Sequence, residues 1–262
     1  MRHPSADVTS QGGRLLDHLE ELRRRILISL LAVAVATAAC FVFADRILDI
    51  LLIPSGGLHL RAFGLMDGFM IKLRLALYAG IVLALPVWAW QTVRFVGPGL
   101  LHEEKSHMAP FLVASLLLFA AGTVFGYSLL AAMIKVLVGL FPPRIEYLPS
   151  ASDYLSFVAF FLLACGLAFQ LPCVLVLLVS LGILRAKTLQ RQRRVAWFML
   201  FAFAEIITPV SDPIVAPLTV MAPLLVLYEA SVFIAGRIEA RREARARLSK
   251  EFTSSSATAA KL

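Results

Sequence analysis

Two glutamates and three arginines, Glu20, Glu21, Arg23, Arg24 and Arg25, stand in the stretch "HLEELRRRI" directly before the first apolar run of the chain. A carboxylate accepts the paired N–H donors of a guanidinium, and such charge-assisted bonds strengthen where water is partly excluded. Glu103 and Glu104 place two more carboxylates at another polar boundary. Carboxylates from two different segments could hold two neighbouring arginines of a partner, whereas lysine, a compact ammonium without the fork, would fit less well. A local reading is also open: Glu20 with Arg24, and Glu21 with Arg25, can form i,i+4 pairs on one helix, worth only a few tenths of a kcal/mol.

Other chemistry finds fewer candidates. The five histidines, His3, His18, His59, His102 and His107, all lie outside the apolar runs, so no Ser/His dyad can be assembled at membrane depth. No Cys/His cluster has metal-ligand spacing and no Gly-rich loop has the spacing of a phosphate cradle, so the reading is not an enzyme, with no metal and no cofactor. Cys40, Cys165 and Cys173 fall within apolar stretches and read as small apolar side chains. Polar groups at membrane depth, Gln170, Glu205 and Glu229, with Lys135 near one end of a span, keep a small-solute membrane transporter open as an alternative. The two halves show no matched pair of interrupted helices such as many carriers use.

The elements that must position these residues follow from composition. A chain of 262 residues that is 60% hydrophobic and 16% charged, with mean hydropathy +0.83, cannot cover an ordinary soluble surface and reads as an integral membrane protein. The net charge of +8 does not indicate nucleic acid, because the basic residues sit in short clusters between apolar runs. Six runs are candidate spans, close to Ile26 to Ala44, Leu73 to Val93, Pro110 to Leu140, Leu155 to Leu181, Val195 to Thr208 and Ile214 to Ala235. The fifth, roughly 14 residues at about 1.5 Å each, reaches only about 21 Å, less than a normal hydrocarbon core. The first run has the basic start and small residues of a secretory signal, but it is longer than a signal core and further spans follow it.

Lys and Arg mark cytoplasmic loops. With both termini inside, the basic clusters fall on the cytoplasmic side, leaving Arg46, Arg61, Lys72, Arg74 and Arg144 outside and Lys135 within the third span. Pro86, Pro172, Pro217 and Pro223 lie within spans and should bend them. The expected fold is all-α, with six transmembrane helices, the fifth and sixth short, forming a curved wall. One membrane domain should cover 1–235, preceded by an N-terminal cytoplasmic interfacial helix and followed over 236–262 by a charged, largely disordered cytoplasmic tail.

The opening motif does not stand alone. "FVGPGLLHEEK" (Phe95 to Lys105), "FGYSLL" (Phe125 to Leu130), "YLSFVAFFLLACGLAFQLP" (Tyr154 to Pro172) and "ITPVSDPIVAPLTVMAPLLVLYE" (Ile207 to Glu229) follow it in order. Together they resemble the TatC family, the multispanning core of the twin-arginine protein translocase, from about Leu16 to Glu229.

That resemblance implies a receptor for the twin-arginine signal peptides of folded precursors, carried across the bacterial plasma (inner) membrane at the expense of the proton-motive force. By position it assigns signal-peptide binding to Glu21 and Glu104, with Leu19, Arg23 and Phe95 in the same segments. It assigns further functional roles to Pro54, Tyr127, Gln170 and Asp212. TatA-like and TatB-like single-span partners, docking near the sixth and fifth spans, and a homo-oligomer within the receptor complex are likewise implied. Local alternatives stay open: Phe95 and Tyr127 could be interfacial aromatic anchors, Pro54 a turn residue, Arg23 a topology charge, and Glu103 could exchange with Glu104 by a register shift of one.

Two departures from the family stand out. Many relatives carry a glutamate in the middle of the fourth span where this chain has Gln170, which cannot ionise. Glu205 in the fifth span is unusual for the family, and can either supply the missing intramembrane carboxylate or sit protonated or hydrogen-bonded near the outer face.

Overall fold

The computed structural model describes residues 6–57, 60–96, 108–139, 142, 149–208 and 215–259. It is built from helices: α1 (Ala6–Val42), α2 (Ala44–Leu52), α3 (Asp67–Leu83), α4 (Leu85–Val96), α5 (Met108–Gly139), α6 (Ala151–Ala168), α7 (Leu171–Ser180), α8 (Ala186–Arg191), α9 (Arg193–Ile207) and α10 (Val215–Ala259). A 3₁₀ turn, Ile53–Ser55, follows α2. The packing groups into two compact units, Met1–Cys165 and Gly166–Leu262.

Among the described residues, four helical stretches are long and apolar enough to cross a membrane: Leu19–Val42, Ala109–Gly139, Ala151–Ser180 and Pro217–Arg241. The pair α3 and α4, bent by 47° between Leu83 and Leu85, makes a fifth. The remaining expected span is α9, whose 15 residues are too few to cross an ordinary bilayer at helical rise.

In the first unit α1 packs along α3 and α4. The approach to α3 is close because position 80 is glycine: a Cβ there would lie 2.4 Å from Thr37 Oγ1 and 2.7 Å from the Thr37 backbone nitrogen. Pro86 accounts for the bend, since it cannot donate to the carbonyl four residues back. Within the interrupted turn, the Trp88 indole N–H donates to the Ile81 carbonyl at 3.3 Å. Gly126 allows a similar approach between α5 and α6, its missing Cβ standing 3.0 Å from that of Cys165.

In the second unit α10 packs against α7, α8 and α9. At Pro172 the helix is interrupted between α6 and α7, where Gln170 precedes the first turn of α7. α7 stops at Gly182, whose φ of +74° places it in the left-handed region. Its amide donates to Val179 O at 2.9 Å and that of Ile183 to Leu178 O at 3.1 Å, a Schellman closure that turns the chain into α8.

Two expectations need correction here. The sixth helix is not short: α10 has 45 residues, and its apolar part alone, Pro217–Arg241, has 25. It also runs through Pro223, where a bend was expected, without interruption and continues to Ala259. The segment after Gly236 is rich in Ala, Arg and Glu and lacks Gly and Pro, so helix propensity carries the backbone on past the apolar stretch.

Candidate guanidinium-binding site

The opening motif folds as the start of the first span. Leu19, Glu20, Arg23 and Arg24 are exposed, Leu19 to 60%, whereas Glu21 and Arg25 turn partly inward. Of the two i,i+4 pairs the sequence offers, Glu21 with Arg25 forms: Arg25 Nη2 and Nε both reach Glu21 Oε1, Nε at 3.2 Å. Arg25 Nη1 donates to Oε1 of Gln91 on α4 at 3.4 Å. Packing of α1 on α4 brings this about, so one guanidinium bridges the carboxylate of its own helix and an amide of the next packed element.

Phe95 is half-buried one turn beyond Gln91, on the same side of α4. The structure therefore brings Glu21, Arg25 and Gln91 together, with Phe95 on the adjoining turn. Gln91 had no signal in the sequence, because only the fold places it opposite the arginine run. Glu104, its neighbour Glu103, and Asp212 lie outside the described residues.

Pro54 and Tyr127 belong to a different place, at the distal end of the first span. Here α2 follows a one-residue break at Phe43, and its C-terminal carbonyls would be left without helical partners. The Tyr127 hydroxyl donates to Ile50 O at 3.0 Å and that of Tyr154 to Leu51 O, also at 3.0 Å. Buried Pro54 stands in the 3₁₀ turn that follows, closed by Gly56 at φ +63°. Lys72 pairs with Asp45 of α2 at 2.7 Å, and Arg74 Nη1 donates to Ser156 Oγ at 3.0 Å. The Tyr127 hydroxyl thus has a defined acceptor, which the interfacial-anchor alternative did not require. Tyr154 gives no signal of this role in the sequence, since its partner is more than a hundred positions away.

In the second unit, Gln170 is buried at the interruption before α7. Glu205 lies in the last turn of α9, and its Oε2 is buried without a hydrogen-bond partner among the described residues. Glu229 of α10 pairs with Arg193 at the start of α9, at 3.0 Å, while its Oε1 is buried with no hydrogen-bond partner among the described residues. The Tyr228 hydroxyl donates to Leu189 O at 2.9 Å, and Glu239 Oε2 accepts from the Ala186 amide at 2.7 Å, which fixes α8 on α10. α10 packs on both α7 and α9, so Gln170 and Glu205 border elements that share α10 as a neighbour.

The chain can now be set beside known proteins. The family described as Sec-independent protein translocase protein (TatC) matches over residues 17–223. The chain is 35% identical over 247 residues to the protein of that name from Frankia casuarinae, covering 88% of this chain and 67% of that one. It is 34% identical to the one from Deinococcus radiodurans, covering 84% of each. A crystal structure described as the twin-arginine translocase receptor TatC superposes with a TM-score of 0.72 at 32% identity, covering 85% of this chain and 99% of that one.

Proposed function

The chain belongs to the TatC family of Sec-independent protein translocases, a multi-pass membrane component of the twin-arginine system, and from that premise we propose that Glu21 and Glu104 bind the paired arginines of a signal peptide. The observation that carries the proposal is the contact between Glu21 and Arg25. In that contact the Glu21 carboxylate accepts from a guanidinium while partly shielded from water, the setting in which charge-assisted bonds gain strength. Leu19, Arg23 and Phe95 flank the site, Leu19 and Arg23 as exposed side chains a folded precursor's peptide can touch.

The remaining assignments extend this reading. Both termini lie on the cytoplasmic side of the bacterial inner membrane, a reading supported by the crowding of basic residues at the arginine end of α1 and around α8. TatA-like and TatB-like single-span proteins dock on α9 and α10, and several copies of the chain assemble in the receptor complex. Their docking is supported by exposed Phe198, Met199, Ile206 and Val226, apolar surface that a partner helix or lipid must cover. The proton-motive force drives export. Gln170, Glu205 and Asp212 supply polar contacts within or beside the membrane, Glu205 with a carboxylate oxygen that has no partner within the described chain. The solute-carrier alternative is set aside by the family match, which spans the residues that suggested it up to Pro223.

The test is export of a twin-arginine reporter in cells lacking their own copy of the receptor. Glu21→Ala and Glu104→Ala should each reduce export severely while the protein remains stably inserted. Full export by both variants would remove the carboxylate reading.

A further inference from the structure

We infer that the tip between Arg61 and Asp67 is a membrane wedge, whose apolar side chains enter the lipid leaflet at the far end of the first span from the arginine motif. The inference rests on the membrane reading of α1 and α3 and is independent of signal-peptide binding.

Composition sets the tip apart. From Ala62 to Ile71 the sequence is "AFGLMDGFMI", with Asp67 its one ionisable side chain. Phe63, Leu65, Met66, Phe69 and Met70 are all exposed, Leu65 completely, at 100%. Single exposed apolar residues are ordinary, but a cluster of large ones is surface that something must cover.

The depth of the tip identifies the cover. Phe41 lies in the last turn of the apolar span Leu19–Val42, and its ring meets that of Phe69 edge to face, with 6.2 Å between centroids. The first turn of α3 therefore sits at the level where that span ends. The tip directly before it stands where hydrocarbon gives way to headgroups. Phe41 and Val42 are exposed there and face lipid, so the apolar surface of the tip continues one that the bilayer already covers.

The backbone is arranged for that setting. A segment that leaves water must satisfy its N–H and C=O groups from within the protein. Asp67 Oδ2 accepts from the Phe63 amide at 2.8 Å and from the Gly64 amide at 2.7 Å. The Asp67 amide donates to Gly64 O at 3.1 Å, and that of Met70 to Met66 O at 3.0 Å. Before the tip, the Arg61 amide donates to Pro149 O at 3.1 Å and the Ala151 amide to Arg61 O at 2.9 Å, which ties its base to the start of α6. The carboxylate of the tip is thus engaged by the tip's own backbone. Glycine at position 64 makes room for it, since a Cβ there would lie 2.8 Å from Asp67 Oδ1. Arg61 is exposed at the base, where a long cationic side chain can reach a lipid phosphate while the apolar tip goes deeper.

The experiment places an environment-sensitive nitrobenzoxadiazole label on the full-length protein in phosphatidylcholine nanodiscs, through Leu65→Cys and, separately, Phe63→Cys. The native Cys40, Cys165 and Cys173 are buried, and the parent treated with the same label supplies the background. Val35→Cys, exposed within the first span, is the lipid reference, and Ala244→Cys, exposed beyond the last span, is the water reference. Labels at 65 and 63 should emit to the blue of the label at 244. Phosphatidylcholine carrying a doxyl group near the headgroup should quench them at least twofold more strongly than the label at 244, and aqueous iodide at least twofold less. Iodide quenching equal to that at 244, with none by the doxyl lipid, would overturn the wedge. Shielding from both quenchers would overturn it too, because a second copy of the chain or another protein would then cover the tip.

Discussion

The Tyr154 hydroxyl donates to the Leu51 carbonyl at 3.0 Å across 103 positions of sequence. Tyr127 makes the equivalent bond to Ile50, so two phenols from successive long helices hold the last turn of α2 and the Pro54 turn after it. Tyr127→Phe and Tyr154→Phe should each cost about 1 kcal/mol, the net worth of one such hydrogen bond. Thermal unfolding in detergent checks the value, and increased protease cutting near Gly56 and Gly57 in the double variant locates it.

Gly80 should tolerate no side chain. A Cβ there collides with backbone as well as with Thr37 Oγ1, so Gly80→Ala forces α1 and α3 apart and should lower stability by about 1–3 kcal/mol. Adding Thr37→Ala should rescue little, because the Thr37 nitrogen remains 2.7 Å from the new methyl. Unfolding midpoints of the single and double variants decide this.

The bond from the Ala186 amide to Glu239 holds the first turn of α8 against α10. Glu239→Gln replaces a charged acceptor by a neutral one at a helix start and should cost about 1 kcal/mol. Faster hydrogen exchange in 186–191, with α9 unchanged, is the expected signature.

Much of this was legible because apolar run lengths and basic clusters act locally. The spans around Ile26, Pro110 and Leu155, the bend at Pro86 and the interruption at Pro172 needed only hydropathy and the missing proline donor. The segment "GRIEARREARARLSKEF" is polar in composition, yet its residues are strong helix formers, so propensity extends α10 where the charge pattern alone gives no helix signal. Glu21 was legible from its spacing to Arg25, whereas Gln91 was not, since its role depends on α1 packing against α4. Tyr154 was hidden in the same way, its acceptor being a backbone carbonyl that no side-chain pattern reveals.

Glu205 carries a buried carboxylate oxygen without a partner among the described residues, at a position where the family resemblance offers no acid. If it meets a polar group of a partner helix, Glu205→Ala should reduce reporter export severalfold without lowering the amount of inserted protein. Unchanged export would leave it a local feature of α9.

The central claim is that the exposed start of α1 receives paired arginines. A photo-crosslinker at Leu19, 60% exposed and two residues from Glu21, tests it directly. Capture of a twin-arginine signal peptide in membranes is expected, with loss of capture when both arginines are changed to lysine, and loss again in Glu21→Gln. Equal capture of both peptides, or capture that survives Glu21→Gln, would contradict it.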